Sequence, residues 1–128
     1  MLDHSTPRGR TIAALMKLAA ERPYRDIALF DIAREAGVTL VDLRNEFAMK
    51  SDILGGFTRA VDDEVARRME FRLERSAGPR DRLFDALMTR FDVLSPYRPA
   101  LRRIMDAVRT MPGEVSARGF IASQGWML

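Results

Sequence analysis

Apolar residues recur along this chain at intervals of three and four, the spacing that lines one face of an α-helix, and no stretch alternates with the period of two that marks a half-buried strand. The first periodic stretch runs from Pro7 to about Arg22, with Ile12, Leu15, Met16, Leu18 and Ala19 on one face. Thr6 is the expected N-cap and Pro7 occupies the first turn, where its missing N–H costs nothing. Residues 1–6 have no such pattern and read as a flexible arm. Asp26 is expected to cap a second helix, Ile27 to Ala36, that turns Leu29, Ile32 and Ala33 inward and Asp31, Arg34 and Glu35 to water. Gly37 stops it where a left-handed backbone is needed, and Thr39 caps a third helix to about Glu46 almost at once. Leu43 and Phe47 should point from that helix back at the second.

Lys50-Ser51-Asp52 opens a long fourth helix reaching about Ser76, with Ile53, Leu54, Phe57, Val61, Val65, Met69 and Leu73 in period. Gly55-Gly56 inside it implies either close backbone packing or a kink, since each glycine costs about 1 kcal/mol against alanine. Gly78-Pro79 breaks the chain before a fifth helix, Arg80 to Leu94, whose expected core stripe is Leu83, Phe84, Leu87, Met88, Phe91 and Leu94. Ser95-Pro96 starts a sixth, with Leu101, Ile104, Met105 and Val108 inward. Pro112-Gly113 punctuates again, and Val115 to Leu128 reads as a last helical segment. The fold class is all-α. A three-helix helix-turn-helix unit over residues 1–50 is followed by a helical domain over residues 51–128, made of a linking helix, 51–76, and three further helices.

Composition narrows the chemistry. The 128 residues contain no cysteine and one histidine, His4, at the chain end. Disulfides and thiolate metal sites are thereby excluded, and a zinc site or a buried imidazole triad is not expected. The carboxylates fall on solvated helix faces, so no catalytic role, cofactor or metal is expected. No apolar run approaches the ~20 residues that span a bilayer, and no secretory signal opens the chain, so a cytoplasmic location is the expectation. The formal charge is +3 and the isoelectric point near 9.9, values that point toward nucleic acid. Locally the balance reverses: residues 26–50 hold Arg34, Arg44 and Lys50 against Asp26, Asp31, Glu35, Asp42 and Glu46, leaving −2.

The run Asp31-Ile32-Ala33-Arg34-Glu35-Ala36-Gly37-Val38, followed by Leu43, Phe47 and Lys50 and preceded by Ala19-Ala20-Glu21-Arg22-Pro23-Tyr24, resembles the signature of the TetR family of transcriptional regulators. The resemblance covers about residues 10–60 and implies a dimeric, ligand-responsive repressor that reads a palindromic operator in double-stranded DNA. It places the third helix in the major groove. The implied DNA-binding residues are Thr39, Leu40, Val41, Arg44 and Asn45 on that helix, Lys50 as a phosphate contact, and Arg8 and Arg10 along the backbone or minor groove. The head departs from the family at Leu40, where a cation is usual, at Asp42 and Glu46, which bring carboxylates to the phosphates, and at Ala28, where a hydroxyl is common.

The same resemblance implies a C-terminal ligand pocket, for which Phe84, Leu87, Met88, Phe91 and Met105 are the candidate linings for a small hydrophobic ligand, and a homodimer interface. Family members are longer, so the chain reads as shortened, with its apolar end covered by self-association. A second class on this fold, the accessory proteins of coenzyme Q biosynthesis, has lost DNA binding and carries a lipid or isoprenoid. The acidic head is compatible with that alternative.

Overall fold

The computed structural model describes residues 1–73 and 78–109. Among them the chain forms six α-helices, two 3-10 turns and no strand. The helices are α1 (Pro7–Glu21), α2 (Leu29–Ala36), α3 (Leu40–Glu46), α4 (Lys50–Leu73), α5 (Pro79–Leu94) and α6 (Arg98–Arg109), with 3-10 turns at Tyr24–Asp26 and Ser95–Tyr97. The helical segment expected over Val115 to Leu128, and the end of the fourth helix expected near Ser76, lie outside the described residues. No described helix is long and apolar enough to cross a membrane.

α1 begins as its sequence dictates. The Thr6 hydroxyl accepts the Gly9 N–H at 3.0 Å, and Pro7 takes the first turn. The six residues before it are folded back rather than a free arm. Both the N–H and the hydroxyl of Ser5 donate to the Asp3 carboxylate. A Cβ at Gly9 would sit 1.8 Å from the Asp3 carbonyl oxygen, so only glycine admits this return of the chain.

Ile12, Leu15, Met16, Leu18 and Ala19 of α1 are buried, and α1 touches α2, α3, α4 and α6. It is the central element. The buried residues form one cluster that runs from Ile12 through Ile32, Leu43 and Phe57 to Leu101, Ile104 and Val108. Each fully buried Leu, Ile or Phe contributes about 1.5–3 kcal/mol of transfer free energy. α4 crosses α1 closely at Gly56, where a Cβ would lie 3.1 Å from both Ile12 and Phe47 and 3.3 Å from Arg8. Close packing is therefore the reason for one of the paired glycines; nothing lies within 4 Å of a Cβ at Gly55.

Two expectations need correction. The second helix starts at Leu29, two residues later than its periodicity suggested, and Asp26 does not cap it. Instead Tyr24–Asp26 makes a 3-10 turn, and Ile27 is extended and almost fully buried. Ala28 is the N-cap residue, its N–H bound by the Asp31 carboxylate at 2.9 Å. This is half of a capping box, since the alanine side chain holds no acceptor.

The second correction concerns α5. Of its expected apolar stripe only Leu94 reaches the core: Leu83 and Phe84 are each 62 % exposed, and Leu87, Met88 and Phe91 are 36–41 % exposed. The opposite face carries the buried Thr89 and Val93, and α5 packs against α4. Periodicity identifies an apolar face correctly but is silent on what covers it.

Candidate nucleic-acid interface

The geometry begins at Gly37, whose φ of 70° lies in the left-handed region that a Cβ disfavours. There the Gly37 N–H donates to the Arg34 carbonyl, and the Val38 N–H to the Ala33 carbonyl at 3.0 Å, closing the end of α2. Two residues later the Thr39 hydroxyl accepts the Asp42 N–H at 3.0 Å and starts α3. So abrupt a turn lets the two short helices cross, with Ile32 and Ala33 of α2 and Leu43 of α3 buried between them and α1. Phe47 is 3 % exposed and closes the base of α3.

Only Leu43 of α3 is buried. Leu40, Val41, Asp42, Arg44, Asn45 and Glu46 all face outward, so the helix is held by one anchor and offers the rest of its circumference. Arg44 and Asn45 occupy its last turn and are exposed. Val41 is the most projecting of the apolar residues at 69 %, and Leu40 is half as exposed at 38 %. Thr39 uses its hydroxyl oxygen on the cap.

The remaining sequence-derived cations are already engaged. The Arg8 guanidinium stacks 4.6 Å from the Phe47 ring centroid and stands 3.7 Å from the Glu46 carboxylate. Arg10 donates to the His4 carbonyl at 3.3 Å. Lys50 turns inward: its ammonium donates to the carbonyls of Tyr24 at 2.7 Å and Ile27 at 2.9 Å, and lies 3.9 Å from the Tyr24 ring centroid. It ties the start of α4 to the 3-10 turn before α2.

Folding also alters the charge balance of the head. Glu35 is bound by Lys17 of α1 at 2.6 Å, Asp31 lies 4.0 Å from Arg22, and Glu46 faces Arg8. Three of the five carboxylates between residues 26 and 50 thus meet a cation supplied from outside that stretch. The Lys17 pKa is raised by its hydrogen bond to Glu35. The local −2 of the sequence is an acidity that cations of α1 and its C-cap residue Arg22 offset.

Two residues of this face escaped the sequence reading. Phe30 is 58 % exposed on α2, with the Arg34 guanidinium 4.8 Å from its ring centroid, and Met49 is 53 % exposed just before α4. The signal for Phe30 was available, because it stands next to Leu29 and about 100° from the inward stripe of its helix.

The five residues expected to line a ligand pocket are not brought together. Phe84, Leu87, Met88 and Phe91 lie on the open face of α5, while Met105 is 5 % exposed within the core beneath α6. Phe91 carries the Arg98 guanidinium 5.2 Å from its centroid. Among the described residues no group of three or more acidic or histidine side chains is placed to hold a metal ion. Comparison of the chain with protein-family models, with curated proteins and with solved structures finds no match.

Proposed function

We propose that this chain is a TetR-like regulator that binds duplex DNA through α2 and α3. The observation that carries the reading is α3 itself, a capped helix fixed by Leu43 alone and exposing a nearly complete polar and apolar circumference beside a tight glycine turn. A single helix of this kind fits the ~12 Å major groove. Arg44 and Asn45 are the base-reading residues in this account, suited to guanine and adenine respectively. Val41 and Leu40 meet thymine methyl groups, and Thr39 positions the helix end toward a phosphate. The phosphate-directed cations are Arg10, Arg34 and Arg44: Arg10 would exchange its exposed 3.3 Å bond to the His4 carbonyl for a phosphate, whereas Lys50 is held by two part-buried backbone carbonyls.

With so few phosphate contacts, the affinity falls with salt by a slope of only about −0.9 per contact, some −3 in all. An electrophoretic mobility shift at low salt, against the DNA upstream of the chain's own coding region, tests this. A shift at micromolar protein that Arg44→Ala abolishes is the expected result. Absence of any shift at about ten times that concentration refutes it.

One observation favours a second reading. Phe30, Val41 and Met49 make the head strikingly apolar for a DNA surface, each more than half exposed. In that reading the chain is a member of the TetR fold that has lost DNA binding and carries a lipid or isoprenoid. Native mass spectrometry of the purified protein decides, since a carrier retains a hydrophobic adduct and a chain free of any adduct is not one.

A further inference from the structure

A cavity of about 290 Å³ opens between the folded-back residues before α1, α1 itself and α4. None of its lining residues lies on α2 or α3, and none of those expected to line a ligand pocket borders it. Two close approaches build its walls: Gly9 admits the Asp3 carbonyl against α1, and Gly56 brings α4 onto Ile12. Hydrogen bonds hold the returning segment in place, from the Thr6 hydroxyl to the Asp3 carbonyl at 3.3 Å and from Arg10 to the His4 carbonyl. Leu2, Ile12 and Ala60 supply an aliphatic lining.

The charged side chains around the cavity balance, Arg8, Arg59 and Arg67 against Asp3, Asp63 and Glu64. Most of them are already engaged. Arg8 is drawn to Phe47 and Glu46, Arg67 donates to both oxygens of Glu64 at 3.0 and 2.6 Å, and Asp3 accepts from the N–H and hydroxyl of Ser5. Arg59 and Asp63 have no hydrogen-bond or ion-pair partner among the described residues. They stand one turn apart on the same side of α4 yet do not pair, in keeping with their order, since a cation N-terminal to a carboxylate is the weaker arrangement on a helix. Asp63 has Arg67 one turn further on in the favourable order, but Glu64 takes it. The cavity is thus left with one unmatched positive and one unmatched negative group, their Cβ atoms about 5–6 Å apart as for any such pair on a helix, beside an aliphatic surface.

We propose that this cavity binds a free α-amino acid with an aliphatic side chain, its carboxylate on Arg59 and its ammonium on Asp63. A ligand of single charge satisfies one of the two groups and faces a like charge in the other. An α-amino acid carries both complements on one carbon, with the side chain pointing away from them toward Leu2, Ile12 and Ala60. The planar Arg59 guanidinium suits a carboxylate, which it can hold through two parallel N–H groups. The volume lies at the small end of the ~300–1,000 Å³ range of ligand sites, which suits one amino acid rather than a peptide or a drug-sized molecule. The proposal does not rest on DNA binding.

Titration of the nitrogen-15-labelled full chain with L-leucine, followed by amide chemical shifts and without DNA, is the test. Saturable shifts at Leu2, Gly9 and Ala60 are expected, with a dissociation constant on the order of 1 mM for so small and open a site. N-acetyl-L-leucine lacks the ammonium and L-leucinamide lacks the carboxylate, and each is expected to bind about tenfold more weakly than leucine. Arg59→Gln should abolish the preference for leucine over leucinamide, and Asp63→Asn the preference for leucine over N-acetyl-leucine. Both side chains are exposed, so helical circular dichroism is expected to stay unchanged in the two variants. The proposal is overturned if leucine, isoleucine, valine and methionine all leave the spectrum unchanged at about 20 mM, well above that constant. Equal binding of leucine and its two derivatives overturns it as well, as does a shift pattern centred away from the cavity. With no DNA in the sample, either result leaves the mobility-shift experiment to be decided on its own.

Discussion

Replacement of Lys50 by methionine separates two roles that the same cation can play. In the structure its ammonium holds the carbonyls of Tyr24 and Ile27 at 2.7 and 2.9 Å and covers the Tyr24 ring. Hydrogen bonds to a charged donor contribute about 1.5–3 kcal/mol each in favourable settings. Lys50 is only half-buried, so part of that is regained by water, and the loss expected for Lys50→Met is about 2–3 kcal/mol. For a chain of this length, 1 kcal/mol moves Tm by roughly 3–5 °C, which converts the loss to a fall of about 6–15 °C. Differential scanning calorimetry of wild type and variant measures it, with far-ultraviolet circular dichroism confirming that the helices persist. Methionine keeps the aliphatic stem, so lost packing contributes little. A Tm within 2 °C of wild type, accompanied by weakened DNA binding, would refute the clamp and restore Lys50 to the phosphate.

Two further outcomes follow from particular residues. Gly37→Ala places a Cβ at φ 70° and is expected to cost about 1–2 kcal/mol in urea unfolding although nothing lies within 4 Å of the new atom, so a neutral result would mean that the turn relaxes out of the left-handed region. Glu64, nearly buried, is held at a pKa of about 2 by hydrogen bonds from Arg67 first and Arg68 second. A lowered carboxylate pKa stabilises the fold above the ordinary value of 4.5 and loses that contribution as pH falls toward 2. Discounted for the solvent around Arg67, it amounts to about 1–2 kcal/mol. Wild type and Glu64→Gln should thus differ by this much at pH 6 and converge near pH 2. A difference that persists unchanged in acid would count against the ion pair.

What could be read from the chain before folding was what local physics determines. Thr6, Pro7, Gly37 and Thr39 act within one turn of their own positions, and each is found in its expected role. Asp26 failed as a cap because the choice between it and Ala28 rests on a carboxylate inside the helix, Asp31, and on the burial of Ile27 by distant residues. α5 failed for a related reason. Its stripe is as regular as that of α6, yet Leu101, Ile104 and Met105 are buried where α6 meets α1, while Leu83, Phe84, Leu87, Met88 and Phe91 stay exposed, with only the Arg98 guanidinium over the Phe91 ring. The candidate interface was legible in the identity of its exposed α3 residues and illegible in its charge, since Lys17 and Arg8 of α1 and Arg22 at its C-cap are delivered to Glu35, Glu46 and Asp31 only by tertiary structure.

The position of α1 bears on how the molecule responds to anything bound at its far side. One helix forms a wall both of the helix-turn-helix and of the packing under α6, and its small residues Ala14 and Ala19 are buried. A displacement of α6 would press first on α1, the element that α2 and α3 also pack against. The two ends of the chain thus share a single structural wall, and α4 is pressed onto it at Gly56.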